Sequence, residues 1–178
     1  SLMILPIFAT PFAIGFMFFT ILFEISGPLA WMGIPFLSNH NWAPFSVMLV
    51  DVWQWTPFCF LVFLAALQGI PDDLIEAATL DTKSAYKIWT SVILPLLQPI
   101  IVLVILLRVA ESAKLYDYIA SLTKGGPGTA TQSVSFLVFN KAFKMNDFGY
   151  ASAGSFLMLI VVMVFVMLFF TRLRKTYE

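Results

Sequence analysis

The chain has 178 residues, of which 60% are hydrophobic and only 11% charged, and its ten Lys and Arg balance its ten Asp and Glu. A soluble domain carries about 25% charged residues and a nucleic-acid-binding domain shows a basic surplus, so both classes are excluded. The single cysteine, Cys59, can form no internal disulfide, and its place in an apolar run suits packing.

In chain order, Asp, Glu, Lys and Arg are absent from residues 1–23, 52–71, 88–107 and 148–171, and Asp51 is the only charge between Phe45 and Leu67. A helix of about 20 residues spans a hydrocarbon core of roughly 30 Å, whereas apolar helices buried in soluble proteins run to about 14. The pattern predicts four membrane spans, over 3–23, 46–68, 90–113 and 150–171. The first does not read as a cleaved signal peptide, because no basic residue precedes it and, where a small-residue cleavage site would follow, Glu24 and Pro28 come instead. The chain opens Ser-Leu-Met without an initiator methionine, and the expectation is a piece of a longer chain.

Residues 24–45 hold no Lys or Arg, whereas the tail carries Arg172, Arg174 and Lys175. Cations in short loops favour the cytoplasmic side. The tail is therefore expected inside, the 24–45 loop outside, the 70–87 loop inside and the 114–148 connection outside. Lys83 and Lys87 agree with this; Lys114, Lys124, Lys141 and Lys144 in the long connection run against it. His40, the sole histidine, falls in the first outer loop without neighbouring ligands, so neither a metal site nor a catalytic triad is expected.

The second span carries Asp51 and Gln54, which either border a polar path or settle locally. After it comes Ile-Pro-Asp-Asp-Leu-Ile-Glu-Ala-Ala-Thr-Leu-Asp, residues 70–81. Pro71 presets a helical start and Asp72 and Asp73 face the positive helix end, so a short helix over about 72–80 is predicted, with a second start at Ser84. Ala77 and Ala78 would let another protein's groove come close to the backbone while Glu76 pairs with a cation. The alternative is a solvated hairpin whose acids keep it wet.

Pro95 and Pro99 lie in the third apolar run and predict a bend, as a packing kink or a gating hinge. Arg108, Glu111, Lys114 and Asp117 follow at intervals of three, a spacing for ion pairs along one helix. Arg108 and Glu111, with Tyr116 and Tyr118, are candidates for a polar, aromatic route for a hydroxyl-rich solute; a self-paired, snorkelling helix end is the alternative. Gly125-Gly126-Pro127-Gly128 predicts a break, followed by a helix-like segment through Val134, Leu137, Val138, Ala142 and Phe143 at the outer surface. The last span opens with small residues, Gly149, Ala151, Ser152, Ala153 and Gly154, suited to close helix packing.

Taken together, Glu76-Ala77-Ala78, Asp81, Val92-Ile93-Leu94-Pro95, the stretch WQWTPFCFLVFLAALQGIP before them, and LTKGGPGTATQS and GYASAG after them resemble the permease subunits of bacterial ATP-binding-cassette importers. The resemblance is to the carbohydrate-uptake branch related to maltose, lactose and glycerol-phosphate permeases. It implies an all-α polytopic membrane bundle of the type I importer (MetI-like) class, four spans of a usual six, in the bacterial cytoplasmic membrane with its C-terminus inside.

The resemblance further implies a coupling helix over 72–84, with Asp73, Glu76, Ala77, Ala78, Asp81 and Thr82 docking on an ATPase. The implied partners are two ATPase subunits, a second permease subunit, an external solute-binding protein and a carbohydrate. ATP and Mg belong to the ATPase: this chain has no G-x-x-x-x-G-K-[ST] loop, and no cofactor or enzymatic activity of its own is expected. The family has Gly after the Asp, usually followed by Ala, where this chain has Thr82 and Lys83. Thr82 therefore implies either a different turn or a strained one.

Two rivals stay open. An ion-gradient-driven secondary carrier would need a midplane ion site, and the middles of the spans show no ionisable pair in sequence. A non-transporting membrane scaffold would leave solute uptake unchanged when deleted.

Overall fold

The computed structural model describes the backbone of residues 4–177 and the side chains of residues 4–171. The side chains of Arg172, Arg174 and Lys175 lie outside the described residues. Among the described residues the regular structure is helical.

The first predicted span, 3–23, is two helices: α1 (Leu5–Phe8) and α2 (Pro11–Leu22). Pro11 lacks an N–H and pushes the residue before it out of the helical region, and Thr10 is extended at φ −65° and ψ 144°. The Thr10 side chain then caps α2 by accepting from the Ala13 N–H. Neither piece reaches the length of the three helices long and apolar enough to cross a membrane: Trp42–Gln68, Ala85–Ala113 and Phe148–Thr171.

Helix α3 (Trp42–Gln68) buries Ala43, Ser46, Val47, Val50, Gln54 and Pro57, a stripe at helical spacing. Its entry is held by the preceding loop. The Leu37 and Ser38 N–H groups and the Ser38 hydroxyl all donate to the Glu24 carboxylate, at 2.7, 2.7 and 2.6 Å. Helix α4 (Asp72–Asp81) follows Pro71, with Asp72 and Asp73 in its first turn as the sequence predicts. Helix α5 (Ala85–Ile88) begins after Ser84 and runs through a π-helical turn (Trp89–Ile93) into α6 (Leu94–Ala113). Pro95 has no N–H to give the Ser91 carbonyl, and the ladder widens into a π turn just ahead of it. Pro99 sits inside α6.

The 114–148 connection does more than link two spans. Residues 117–123 fold inward, and Tyr118, Ile119 and Leu122 join Ile14, Leu22, Val47, Val50 and Phe136 in the main core. Burial of these apolar side chains, each contributing roughly 1.5–3 kcal/mol, outweighs the cost of turning the chain in. Gly15 makes the approach possible: a Cβ on it would stand 1.9 Å from the Ser121 Oγ. The break at Gly125 and Gly128 does form, with φ of +87° and +58°. The helix-like segment after it is α7 (Val134–Phe139) and a second π turn (Asn140–Lys144), with the Ser133 hydroxyl capping α7. Helix α8 (Phe148–Tyr177) packs against α7, and Gly154 brings it within a methyl group's reach of Val138.

Candidate functional site

Two places hold the predicted site residues. The first is α4, none of whose residues is buried. Asp73, Glu76, Ala77 and Leu80 recur at i, i+3, i+4 and i+7 and so share one exposed face; Leu80 is 90% exposed. An apolar side chain so exposed, beside a small alanine and two carboxylates, makes a surface suited to a protein groove with a cation at its edge. Ala78 is half-buried on the other side of the helix, and Asp81 closes its last turn. Thr82 is extended at φ −151° and ψ 138°, its N–H donating to the Ala78 carbonyl. A β-branched residue favours that region, so the turn uses another geometry and the strained alternative falls away.

The second place is a polar junction between α3 and α6. Asp51 and Arg108, 57 positions apart, form an ion pair with Arg108 Nη2 at 2.5 Å from Asp51 Oδ2. The two side chains are only 18% and 16% exposed. The sequence offers Arg108 its own helix neighbour Glu111 as a partner; the fold pairs it with Asp51 instead. Burying either charge alone costs several kcal/mol, so each holds the other in place. The guanidinium lies over the Trp55 ring, 4.6 Å from its centroid.

One turn further along α3, Gln54 is 5% exposed and ties three elements together. Its Nε2 donates to the Ala9 carbonyl at 3.0 Å, and its Oε1 accepts from the Tyr118 hydroxyl. The Ala9 carbonyl is free because α1 ends there. Thus the broken first helix, α3 and the inward-folded segment meet on one amide.

The remaining path candidates lie elsewhere. Glu111 pairs with Lys114 at 2.8 Å on the surface, while Tyr116 stacks between Phe136 and Phe139. Both therefore stand apart from the junction. A cleft of about 320 Å³ opens beside the ion pair, lined by Asp51, Val52, Trp55, Thr56, Cys59, Phe60 and Arg108. Sequence reasoning missed Trp55 and Thr56; their i+4 and i+5 offsets from Asp51 were the available signal. His40 is exposed, and no metal-binding cluster of His, Cys, Asp or Glu occurs among the described residues.

Comparison with known proteins supplies independent findings. The family model described as "Binding-protein-dependent transport system inner membrane component" matches residues 1–178. The trehalose/maltose transport system permease protein MalF of Thermococcus litoralis is 40% identical over 142 residues, covering 80% of this chain and 46% of that protein. The multiple sugar-binding transport system permease protein MsmF of Streptococcus mutans is 34% identical over 152 residues, covering 83% and 52%. The chain spans about half the length of these curated relatives. A crystal structure of a bacterial ABC transporter involved in the import of the acidic polysaccharide alginate superposes with a TM-score of 0.86 at 22% identity, covering 98% of this chain and 64% of that one. That likeness establishes the fold.

Proposed function

The chain belongs to the family of inner membrane components of binding-protein-dependent transport systems, and from that premise we propose that it is part of a permease subunit passing a carbohydrate or related polyol across the cytoplasmic membrane. A separate ATPase pair, which binds ATP and Mg, drives it through α4. A second permease subunit completes the path, and an external binding protein delivers the solute. The C-terminus and α4 face the cytoplasm; the Glu24 loop faces outward.

One observation carries this reading: α4 stands free at the end of a spanning helix, exposing Asp73, Glu76, Ala77 and Leu80 on one face while a buried ion pair joins two spanning helices elsewhere. Force applied to α4 reaches the membrane through α5 and its π turn, with Pro95 and Pro99 as the hinge. The solute path runs by Asp51, Gln54, Trp55 and Arg108, where the paired charges and an aromatic face suit hydroxyl-rich ligands.

The test is Glu76→Lys in the full-length complex. Membrane insertion stays normal, while ATPase co-purification and uptake drop by about tenfold or more, a loss of about 1.4 kcal/mol or more at the contact. Unchanged capture and uptake would refute the docking role. The Asp51–Arg108 pair is the one feature favouring a second reading, an ion-driven carrier. Uptake into vesicles that follows an imposed ion gradient without ATP would select it.

A further inference from the structure

We infer that residues 25–37, the loop that leads into α3, rest in the headgroup layer of the bilayer, with Ile25, Trp31 and Met32 immersed in it as an anchor.

The loop is a closed unit. The Glu24 carboxylate accepts hydrogen bonds from Leu37 and Ser38 and so ties the two ends together. Gly33 turns the chain at φ +64°, and Leu29, Phe36 and Leu37 pack against the main core. Three large apolar side chains are left outside: Ile25 is 83% exposed, Trp31 82% and Met32 42%. Nothing polar offsets them, because Ile-Ser-Gly-Pro-Leu-Ala-Trp-Met-Gly-Ile-Pro-Phe-Leu, residues 25–37, carries one hydroxyl, one indole N–H and no charge. Apolar side chains held out on a tied loop mark a surface that something other than water covers.

Connectivity sets the depth. Helix α3 has 27 residues, a length of about 40 Å at 1.5 Å per residue, which matches a bilayer with its headgroups at about 40–45 Å. Its first residue is Trp42, whose ring lies 6.0 Å from Phe36 of the loop and 5.8 Å from Phe45 of the helix. The loop therefore continues from the place where α3 leaves the hydrocarbon. Tryptophan concentrates at that level, where its ring meets acyl chains and its N–H meets headgroups. A soluble protein that docks and leaves uses a surface about as polar as protein surfaces in general, and an uncharged stretch with a single hydroxyl does not supply one. The bilayer interface asks for no charge and takes the exposed side chains as they stand.

The test is site-directed spin labelling of the complete transporter, with its native cysteines replaced, in nanodiscs of phosphatidylethanolamine and phosphatidylglycerol. Nitroxides at Ile25→Cys and Trp31→Cys should meet oxygen, which concentrates in lipid, more often than a water-soluble nickel chelate. The oxygen-to-chelate collision ratio should stand several-fold above that of the free label in buffer. A ratio equal to the free label's puts the loop in water, and rare collisions with both reagents put it against protein; either result overturns the inference. Loss of oxygen collisions at position 31 on adding the purified external binding protein overturns it too. A phospholipid with a photoactivated diazirine at the top of its acyl chain probes the unaltered protein, so the inference stays testable where a cysteine variant fails to fold. Its adducts should fall on residues 25–37, and a peptide map with none there would refute the anchor.

Discussion

The junction around α3 and the helix just beyond its end, α4, are opposite kinds of site. At the junction, Gln54 and Asp51 reach partners 45 to 64 positions away, and the side chains are largely closed off from the surroundings. Helix α4 buries nothing; its shape comes from Pro71 and two acids in its first turn. The first site depends on the whole fold holding together, whereas the second is set by local sequence, and on the proposed reading it is recognised by a partner. Substitutions should therefore act through stability at the junction and through partner recognition at α4.

The largest effect is expected from Asp51→Leu. It strands the Arg108 charge in a poorly hydrated site, and removing one member of such a pair costs about 3–5 kcal/mol. A thermal-unfolding midpoint of the full-length protein should fall by several degrees, and Arg108→Met in the same background should restore much of it. No change would mean that the pair is looser than the geometry indicates. Tyr118→Phe comes next. It removes only a hydroxyl but leaves Gln54 Oε1 unpaired in a buried site, for about 1–2 kcal/mol, measurable in the same unfolding assay. An equal loss from Glu76→Gln would erase the contrast, because α4 should tolerate that change without loss of stability.

The loop that Glu24 ties together provides a smaller, pH-dependent effect. Desolvation pushes the Glu24 carboxyl up, but hydrogen bonds from the Ser38 hydroxyl and from the Ser38 and Leu37 N–H groups outweigh it, leaving the group below the ordinary glutamate value of 4.5. A carboxylate whose folded value is lowered contributes stability above its unfolded value and loses it as pH falls through the folded one. Hydrogen exchange at Leu37 and Ser38, corrected for the intrinsic rate, should accelerate only below about pH 4.5, and Glu24→Gln should abolish that step. The smallest effect is at α4. Because Thr82 is extended without strain, Thr82→Gly should lower local stability by roughly 0.5 kcal/mol through added freedom of the unfolded chain. Improved coupled transport in that variant would show the turn to be strained after all.

The start of α4 was legible because a proline and two carboxylates act on their immediate neighbours. The long spans were legible because hydrocarbon admits only uninterrupted apolar helices. The first span misled: its charge-free run reads as a single crossing, yet Pro11 ends one helix and begins another at a position where composition is silent. The pairing of Arg108 was equally hidden. In sequence its nearest anion is Glu111, three positions on, and only the packing of α6 against α3 brings Asp51 closer.

By itself, the sequence determined the long apolar spans, the acidic helix α4 and the turn at Gly125 to Gly128, since each follows from forces acting within a few residues. The tertiary structure alone decided that the segment after Tyr116 folds into the core, that Gln54 collects the broken helix and Tyr118, and that Asp51 and Arg108 share a cleft with Trp55. Those outcomes depend on which helices lie side by side, and adjacency in space is the sum of many weak contacts that no short stretch of chain encodes.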